Sequence, residues 1–382
     1  MGTQVESRAA HSMASPVWSV TAVFVGTVTL LVGLVTVLVP SGHAGSVTPP
    51  QRGWSAAQAG LPSNAAGTSP CSSPRLMILS AYPAEMGKIM KATKLDSTEP
   101  LRSPAPDRKE YWTGTLEGKP VIEALVGIGP INATHTTADA FTVFPNGCIS
   151  AIVFSGVAGA GVDASGRQSR IGDVTVPDGW NYGSGPYSGT ADPSMMAVAT
   201  SVAATVKLEK TTPAGDRACL CVDPGTIPGL TFPYTPTVLL HGEGGTSDPF
   251  GGQPAPCLPH GGDLAGCEPC PAALGTPPDP QRFVSGATNP ALLPGLVTGS
   301  IGSGGGGSQP FIESDDETGA VANVANAHGV PMIGFRGISD GSTDPVISPT
   351  GLPDYPSQFV LYDQLAADNS ATVALSFVAA WS

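Results

Sequence analysis

What most constrains this chain is a repeated switch between short apolar runs and helical spacing. Arg75 to Ser80 (RLMILS) is short, apolar and bounded by polar residues, so it reads as a buried strand. Ala84 to Lys94 reads as a helix. Tyr111 to Leu116 and Val121 to Val126 flank Glu117-Gly-Lys-Pro and read as a hairpin. Gly127-Ile-Gly129 reads as a turn, and Asn132 to Phe144 as a helix with Ala133, Thr137, Ala140, Phe141 and Phe144 at helical spacing. Ser150 to Phe154 predicts a second buried strand ending in a Gly-rich turn (Ser155-Gly-Val-Ala-Gly-Ala-Gly161). Asp173 to Pro177 predicts a short strand and Ser194 to Leu208 a helix. The last third repeats the alternation: Glu317 to Ala327 helix, Val330 to Phe335 strand, Asp363 to Ala380 a long final helix. Strands alternating with helices predict an α/β sheet covered on both faces. The expected architecture is one three-layer α/β/α domain over residues 74–382, built on a central mixed, twisted sheet.

One stretch resists this pattern. Residues 209–281 show no period, are rich in Pro and Gly, and hold five of the seven Cys: Cys219, Cys221, Cys257, Cys267 and Cys270. They read as one long insertion. Gly299 to Gln309 is a second irregular loop. The whole chain carries 49 Gly and 39 Pro, yet its hydrophobic share is 41 %, so long loops around a real core fit better than wholesale disorder. No Gly-X-Y period exists, which excludes a collagen-like rod. Lys and Arg number 17 against 30 Asp and Glu, a net charge of −13 with no basic run. Phosphate-backbone binding needs basic patches, so a nucleic-acid partner is excluded.

The first forty residues concern address. Val17 to Val39 contains no charged residue and is long enough to cross a bilayer. Small residues at Gly42 and Ala44 then offer a signal-peptidase site. Residues 1–44 are therefore read as a signal peptide or a membrane anchor, engaging the secretion machinery or the membrane. Residues 45–73, dominated by Pro, Gly, Ser and Ala, read as a tether. Either reading places the rest of the chain outside the cytosol, secreted or anchored.

Carboxylates fall at telling places. Glu85 opens a helix just after the first strand, Asp315-Asp-Glu317 opens another, and Arg336 and Asp340 follow a strand (Gly334-Phe-Arg-Gly-Ile-Ser-Asp340). In an open α/β sheet, ligands collect at the carboxyl ends of the strands.

These segments resemble the nucleoside phosphorylase superfamily, and most of all methylthioadenosine/S-adenosylhomocysteine nucleosidase. The resemblance rests on Leu79-Ser-Ala-Tyr-Pro-Ala-Glu85, Gly127-Ile-Gly129, Phe154-Ser-Gly-Val-Ala-Gly-Ala160, Ile171-Gly-Asp-Val174, Val284-Ser-Gly286, Asp315-Asp-Glu-Thr-Gly-Ala-Val-Ala322 and Val330-Pro-Met-Ile-Gly-Phe-Arg-Gly-Ile-Ser-Asp340, in that order. It implies cleavage of the N-glycosidic bond of a nucleoside, with purine the expected base, and no cofactor. It implies that Asp340 protonates the leaving base, Glu85 activates water and Arg336 orients that water and the carboxylates around it. Glu317 would hold the ribose hydroxyls. Asp315, Gly156, Val157, Ala158, Ser285, Gly286, Asn289 and Ser339 would line the substrate, and a homodimer is expected. Phe154 stands where phosphorylases of this superfamily carry a phosphate-binding Arg, which favours water over phosphate as nucleophile. A phosphate-dependent phosphorylase and a non-catalytic nucleoside-binding protein are the alternative readings. Asp316 stands where the family usually has Met, Asn289 where a base-stacking Phe is expected, and Val157 where Ser or Thr is common, so adenine and a thioether 5′ group do not carry over.

The Cys group has its own alternatives. Cys267-x-x-Cys270 with Cys219, Cys221, Cys257 and His260 offers zinc ligands, but no second C-x-x-C exists. An exported chain favours disulfides. Seven is odd, so one thiol stays free, and Cys148, beside a strand, is the expected one. No metal site is expected.

Overall fold

The computed structural model describes residues 71, 73–104, 109–145, 147–163, 165–181, 188–212, 231–254, 311–341 and 354–382. Its strands are β1 (Arg75–Ser80), β2 (Lys94–Leu95), β3 (Leu101–Arg102), β4 (Glu110–Leu116), β5 (Lys119–Leu125), β6 (Ile149–Ala160), β7 (Val174–Val176), β8 (Gly179–Asn181), β9 (Gly189–Thr190), β10 (Val238–Leu240), β11 (Glu243–Thr246), β12 (Phe311–Asp315) and β13 (Met332–Asp340). Its helices are α1 (Pro83–Ala92), α2 (Pro130–Val143), α3 (Pro193–Ala203), α4 (Thr318–Ala327) and α5 (Asp354–Ala380). The α/β class and the mixed sheet are as expected.

β1 lies between β5 and β6, parallel to both, and β13 runs parallel to β6. These central strands are buried on both faces and read as apolar runs for that reason: Ile78, Leu79, Ile152, Val153, Phe154, Ile333 and Phe335 have no exposed surface. Helices α1 and α3 pack against α5, which lies along β13 and β6, while α2 packs against α4. The hairpin β4–β5 turns at Glu117 and Gly118, both at positive φ (49° and 78°), as a two-residue turn between right-twisted strands requires.

Four expectations need correction. Gly156-Val-Ala-Gly159 is not a turn: β6 runs through it to Ala160, because Gly156, Val157, Ala158 and Gly159 pair with β13. Small side chains there mark close packing rather than a bend. Likewise β13 does not stop at Phe335 but continues to Asp340, so Arg336 lies inside a strand. Residues 209–281 are not irregular throughout: β10 pairs with β7, and β11 joins β8 to β12 within the sheet. Finally, Cys148 is not a free thiol; it is bonded to Cys71, with their Cα atoms 5.5 Å apart.

The expected signal segment, Cys219, Cys221, Cys257, Cys267, Cys270 and His260, and Ser285, Gly286 and Asn289 lie outside the described residues. Among the described residues no helix is long and apolar enough to cross a membrane.

Candidate active site

The topology brings the carboxyl ends of β1, β6 and β13 together with the start of α1. β12 meets the end of β6 antiparallel, pairing Glu313 with Ala160 and Ser314 with Gly159, and leads into α4. Glu85, Glu317 and Arg336 thus converge on the end of β6, and Asp340 pairs beside them with Gly159.

Arg336 is the hub. It has no exposed surface, and its guanidinium carbon lies 4.2 Å over the ring of Phe154. Nε donates to Thr318 Oγ1 (2.7 Å), Nη1 to the carbonyl of Val157 (2.8 Å) and Nη2 to Glu317 Oε2 (3.0 Å). Asp315 and Glu85 stand 3.4 and 3.7 Å from it. Gly156 makes this approach possible: a Cβ there would stand 2.6 Å from both Arg336 Nη1 and Glu85 Oε1.

Glu85 lies in the first turn of α1. Its two oxygens accept from the backbone N–H groups of Ala81 (2.6 Å) and Val157 (2.7 Å). Burial pushes its carboxyl up to about 8, against the pull of Arg336 and those two donors. Glu317 occupies the N-cap position of α4, where Oε1 accepts from Gly129 N–H (2.8 Å). Burial raises its carboxyl as well, and Arg336 opposes that. Gly129, at φ 89°, can turn that N–H inward as few other residues can.

Asp340 differs. It is buried, and Ser339 Oγ donates to it at 2.6 Å. Burial pushes it up to about 6, and the hydrogen bond from Ser339 only partly opposes this. Asp315 is occupied otherwise: Oδ1 accepts from the N–H groups of Glu317 and Thr318 (both 2.8 Å) and from Thr246 Oγ1 (3.0 Å). It organises the start of α4. Asp316 points to Ser247, whose hydroxyl donates to it. Val157 contributes its backbone, bonded to both Glu85 and Arg336, and the carbonyl of Ala158 lies 3.4 Å from Ser339 Oγ, the weaker of the two acceptors near that hydroxyl.

Several residues of the site do not stand out in the sequence. Thr246, at the end of β11, bonds Asp315 and accepts from Gly319 N–H (2.8 Å). Phe250, just beyond, rests on Gly129: a Cβ on that glycine would stand 2.8 Å from the ring. The turn presenting it is closed by Asp248, which accepts from the N–H groups of Phe250 and Gly252. An aromatic ring therefore stands beside the N–H that holds Glu317. The available signal was the short apolar run Val238-Leu-Leu240, easily lost in a Gly/Pro-rich stretch. Ser370, on α5, accepts from Gly156 N–H and donates to the carbonyl of Phe335, tying α5 to the strands under the site.

Chemically, three carboxylates surround one guanidinium in a buried setting, with a fourth acid beside them. An excess of negative charge in low dielectric stabilises a developing cation and repels an anion. Among the described residues no group of three or more His, Cys, Asp or Glu is arranged to hold a metal ion.

A family model for the phosphorylase superfamily matches residues 75–227. An uncharacterized protein of Mycobacterium tuberculosis, Rv2293c, is 36 % identical over 211 residues, spanning 54 % of this chain and 81 % of that relative. A second from the same organism, Rv2292c, is 48 % identical over 72 residues, 19 % of this chain and 92 % of its own length. Among solved structures, the S-adenosylhomocysteine nucleosidase of Streptococcus pyogenes is 16 % identical with a TM-score of 0.48, covering 82 % of this chain and 99 % of that one. The futalosine hydrolase of Helicobacter pylori is 16 % identical with a TM-score of 0.46, covering 80 % and 97 %.

Proposed function

The chain belongs to the phosphorylase superfamily, as an enzyme acting on N-glycosidic bonds, and we propose that it splits a purine nucleoside with water. The observation that carries this reading is buried Glu85 and Glu317 on the guanidinium of Arg336, with buried Asp340 four residues further along β13. Cleavage builds positive charge on the ribosyl ring and negative charge on the base. Asp340, with a proton held near neutral pH and Ser339 Oγ beside it, delivers a proton to the leaving base. Glu317 still has lone pairs free after its bonds to Gly129 and Arg336, and accepts from the ribose hydroxyls. Glu85 takes the proton of the attacking water. Arg336 fixes both carboxylates. Asp315 holds the start of α4 in place, and Phe250 offers an aromatic face to the flat base.

Water is favoured over phosphate because Arg336 is committed to Thr318, Val157 and Glu317 and lies among acids. A phosphate dianion would meet Glu85 and Glu317, and among the described residues the guanidinium there is already engaged. The test is purine release from inosine and adenosine in phosphate-free buffer, with product analysis. Free ribose without phosphate is expected. Release that needs phosphate and yields ribose 1-phosphate would make the chain a phosphorylase, and nucleoside binding without release would leave a binding protein.

The compartment is part of the same proposal. A disulfide between Cys71 and Cys148 supports an oxidising environment, as the apolar run at 17–39 does.

A further inference from the structure

One buried acid has no part in the mechanism above. Glu313, on β12, has no exposed surface. The indole N–H of Trp180, on β8, donates to its Oε1 at 3.0 Å, while Oε2 receives no hydrogen bond. The pair sits in a slot cleared by two glycines. A Cβ on Gly244 would stand 2.1 Å from Glu313 Oε1 and 2.6 Å from the Trp180 ring. A Cβ on Gly334 would stand 2.7 Å from that ring and 2.9 Å from the methyl of Thr318. Trp180, Glu313 and the two glycines, on four different strands, therefore fit only as a set.

Asp315 is two residues further along β12 and so on the same face. Its Oδ1 takes three donors, but Oδ2 takes none and lies 3.4 Å from Arg336 Nε, which is itself bonded to Thr318. Two buried oxygens on residues of the same face of β12 thus lack a hydrogen each, and leaving either bare is costly. A single proton on Glu313 answers for both, since a protonated carboxyl donates while its other oxygen accepts from Trp180. Among the described residues, the charged groups acting on Glu313 are Asp315 on its own strand, Arg336 on β13 and Glu317 at the start of α4. β8 brings the neutral donor of Trp180, and β11 brings Gly244. Burial, then the charge of Asp315, drives Glu313 toward its neutral form.

We propose that Glu313 is a positioning residue that keeps a proton, donates it to Asp315, and so leaves the charge of Arg336 to Glu317 and Glu85. It rests on the reading of those three groups as the catalytic machinery. Without that proton, Asp315 would compete with Glu317 for the guanidinium, and the ribose-binding carboxylate would lose its fixed orientation.

The purified full-length chain tests this twice. Infrared difference spectra at pH 8, wild type minus Glu313→Gln, are expected to show the carbonyl stretch of a protonated carboxylic acid that the variant lacks. In kinetics, Glu313→Gln supplies an amide that mimics the neutral acid at both ends, so KM for a riboside is expected to stay within about twofold. Glu313→Leu removes the donor and is expected to raise KM by about tenfold, with kcat moving less. No band difference, or a Gln variant as impaired as the Leu variant, would overturn the proposal. Should Glu313→Leu fail to fold, the infrared comparison and the Gln kinetics decide. Should the chain cleave no nucleoside, the infrared comparison still reports where the proton sits, so the two readings fail separately.

Discussion

The two ends of the candidate site are built on opposite electrostatic plans. Around Arg336, Glu85 and Glu317 are held by backbone N–H groups and a guanidinium that favour the ionised form, against a burial that raises both, Glu85 to about 8. At the end of β13, Asp340 has Ser339 for a donor and is pushed up to about 6 by burial. The difference teaches that one charge type, placed in two environments, supplies both a cluster for a developing cation and an acid for a leaving group. It also explains why a chain so poor in charge spends so much of it here.

The largest expected effect lies at the hub. Arg336→Met leaves Glu85, Asp315 and Glu317 buried without their cation, so a loss of about 3–5 kcal/mol in stability is expected by chemical denaturation at pH 9, above the value of about 8 for Glu85. The loss should shrink as pH falls and the acids take up protons. A variant as stable as the wild type at pH 9 would mean that the guanidinium holds no charged carboxylate there, and the contrast between the two ends would collapse.

Next comes the acid. Asp340→Asn keeps the shape and removes the proton, so turnover of a purine nucleoside should fall by about 10²–10⁴-fold. A substrate whose leaving group needs no proton should suffer far less. Equal losses on both would remove Asp340 from the acid's place. The same variant carries a stability signature. The folded carboxyl is raised from 3.8 to about 6, so the folded state binds more protons between those values and wild-type stability declines as pH rises through that window. Asp340→Asn should therefore be more stable than the wild type at pH 8, by up to about 3 kcal/mol, and show no such gain at pH 3.

A smaller effect belongs to Glu317→Gln. It should weaken ribosides by about 10–100-fold but 2′-deoxyribosides less, because the latter have one hydroxyl fewer to lose. Equal responses would reduce Glu317 to a helix-start residue.

How far the sequence foretells this site depends on the element. Strands buried on both faces, such as Arg75–Ser80, are legible because an apolar run has few other uses. The hairpin is legible from its turn, and the acids from their position at strand and helix ends. β6 and β13 are legible only in their first halves. Beyond Phe154 and Phe335 the residues, Ile338 apart, are small or polar, and their strand state comes from pairing with each other. β11 is hidden because Gly244 and Gly245 have no strand propensity; it is a strand because β8 and β12 flank it. β10 is an apolar run of three residues, and pairing with β7 makes it a strand. Phe250 and the Trp180–Glu313 pair depend on contacts between strands far apart in the chain, which no local pattern encodes.

The division between the two ends is tested most directly by the pH dependence of kcat/KM for one purine nucleoside, measured for the wild type, Asp340→Asn and Glu85→Gln. The values of about 6 for Asp340 and about 8 for Glu85 place the limbs of a bell near those pH values. Because the acid lies below the base, the working pair is the minor form across that plateau, and the limbs report the coupled pair. The expected result is a bell for the wild type that loses one limb, and a different one, in each variant. Two variants that keep both limbs, merely scaled down, would contradict the assignment of acid and base to the two ends.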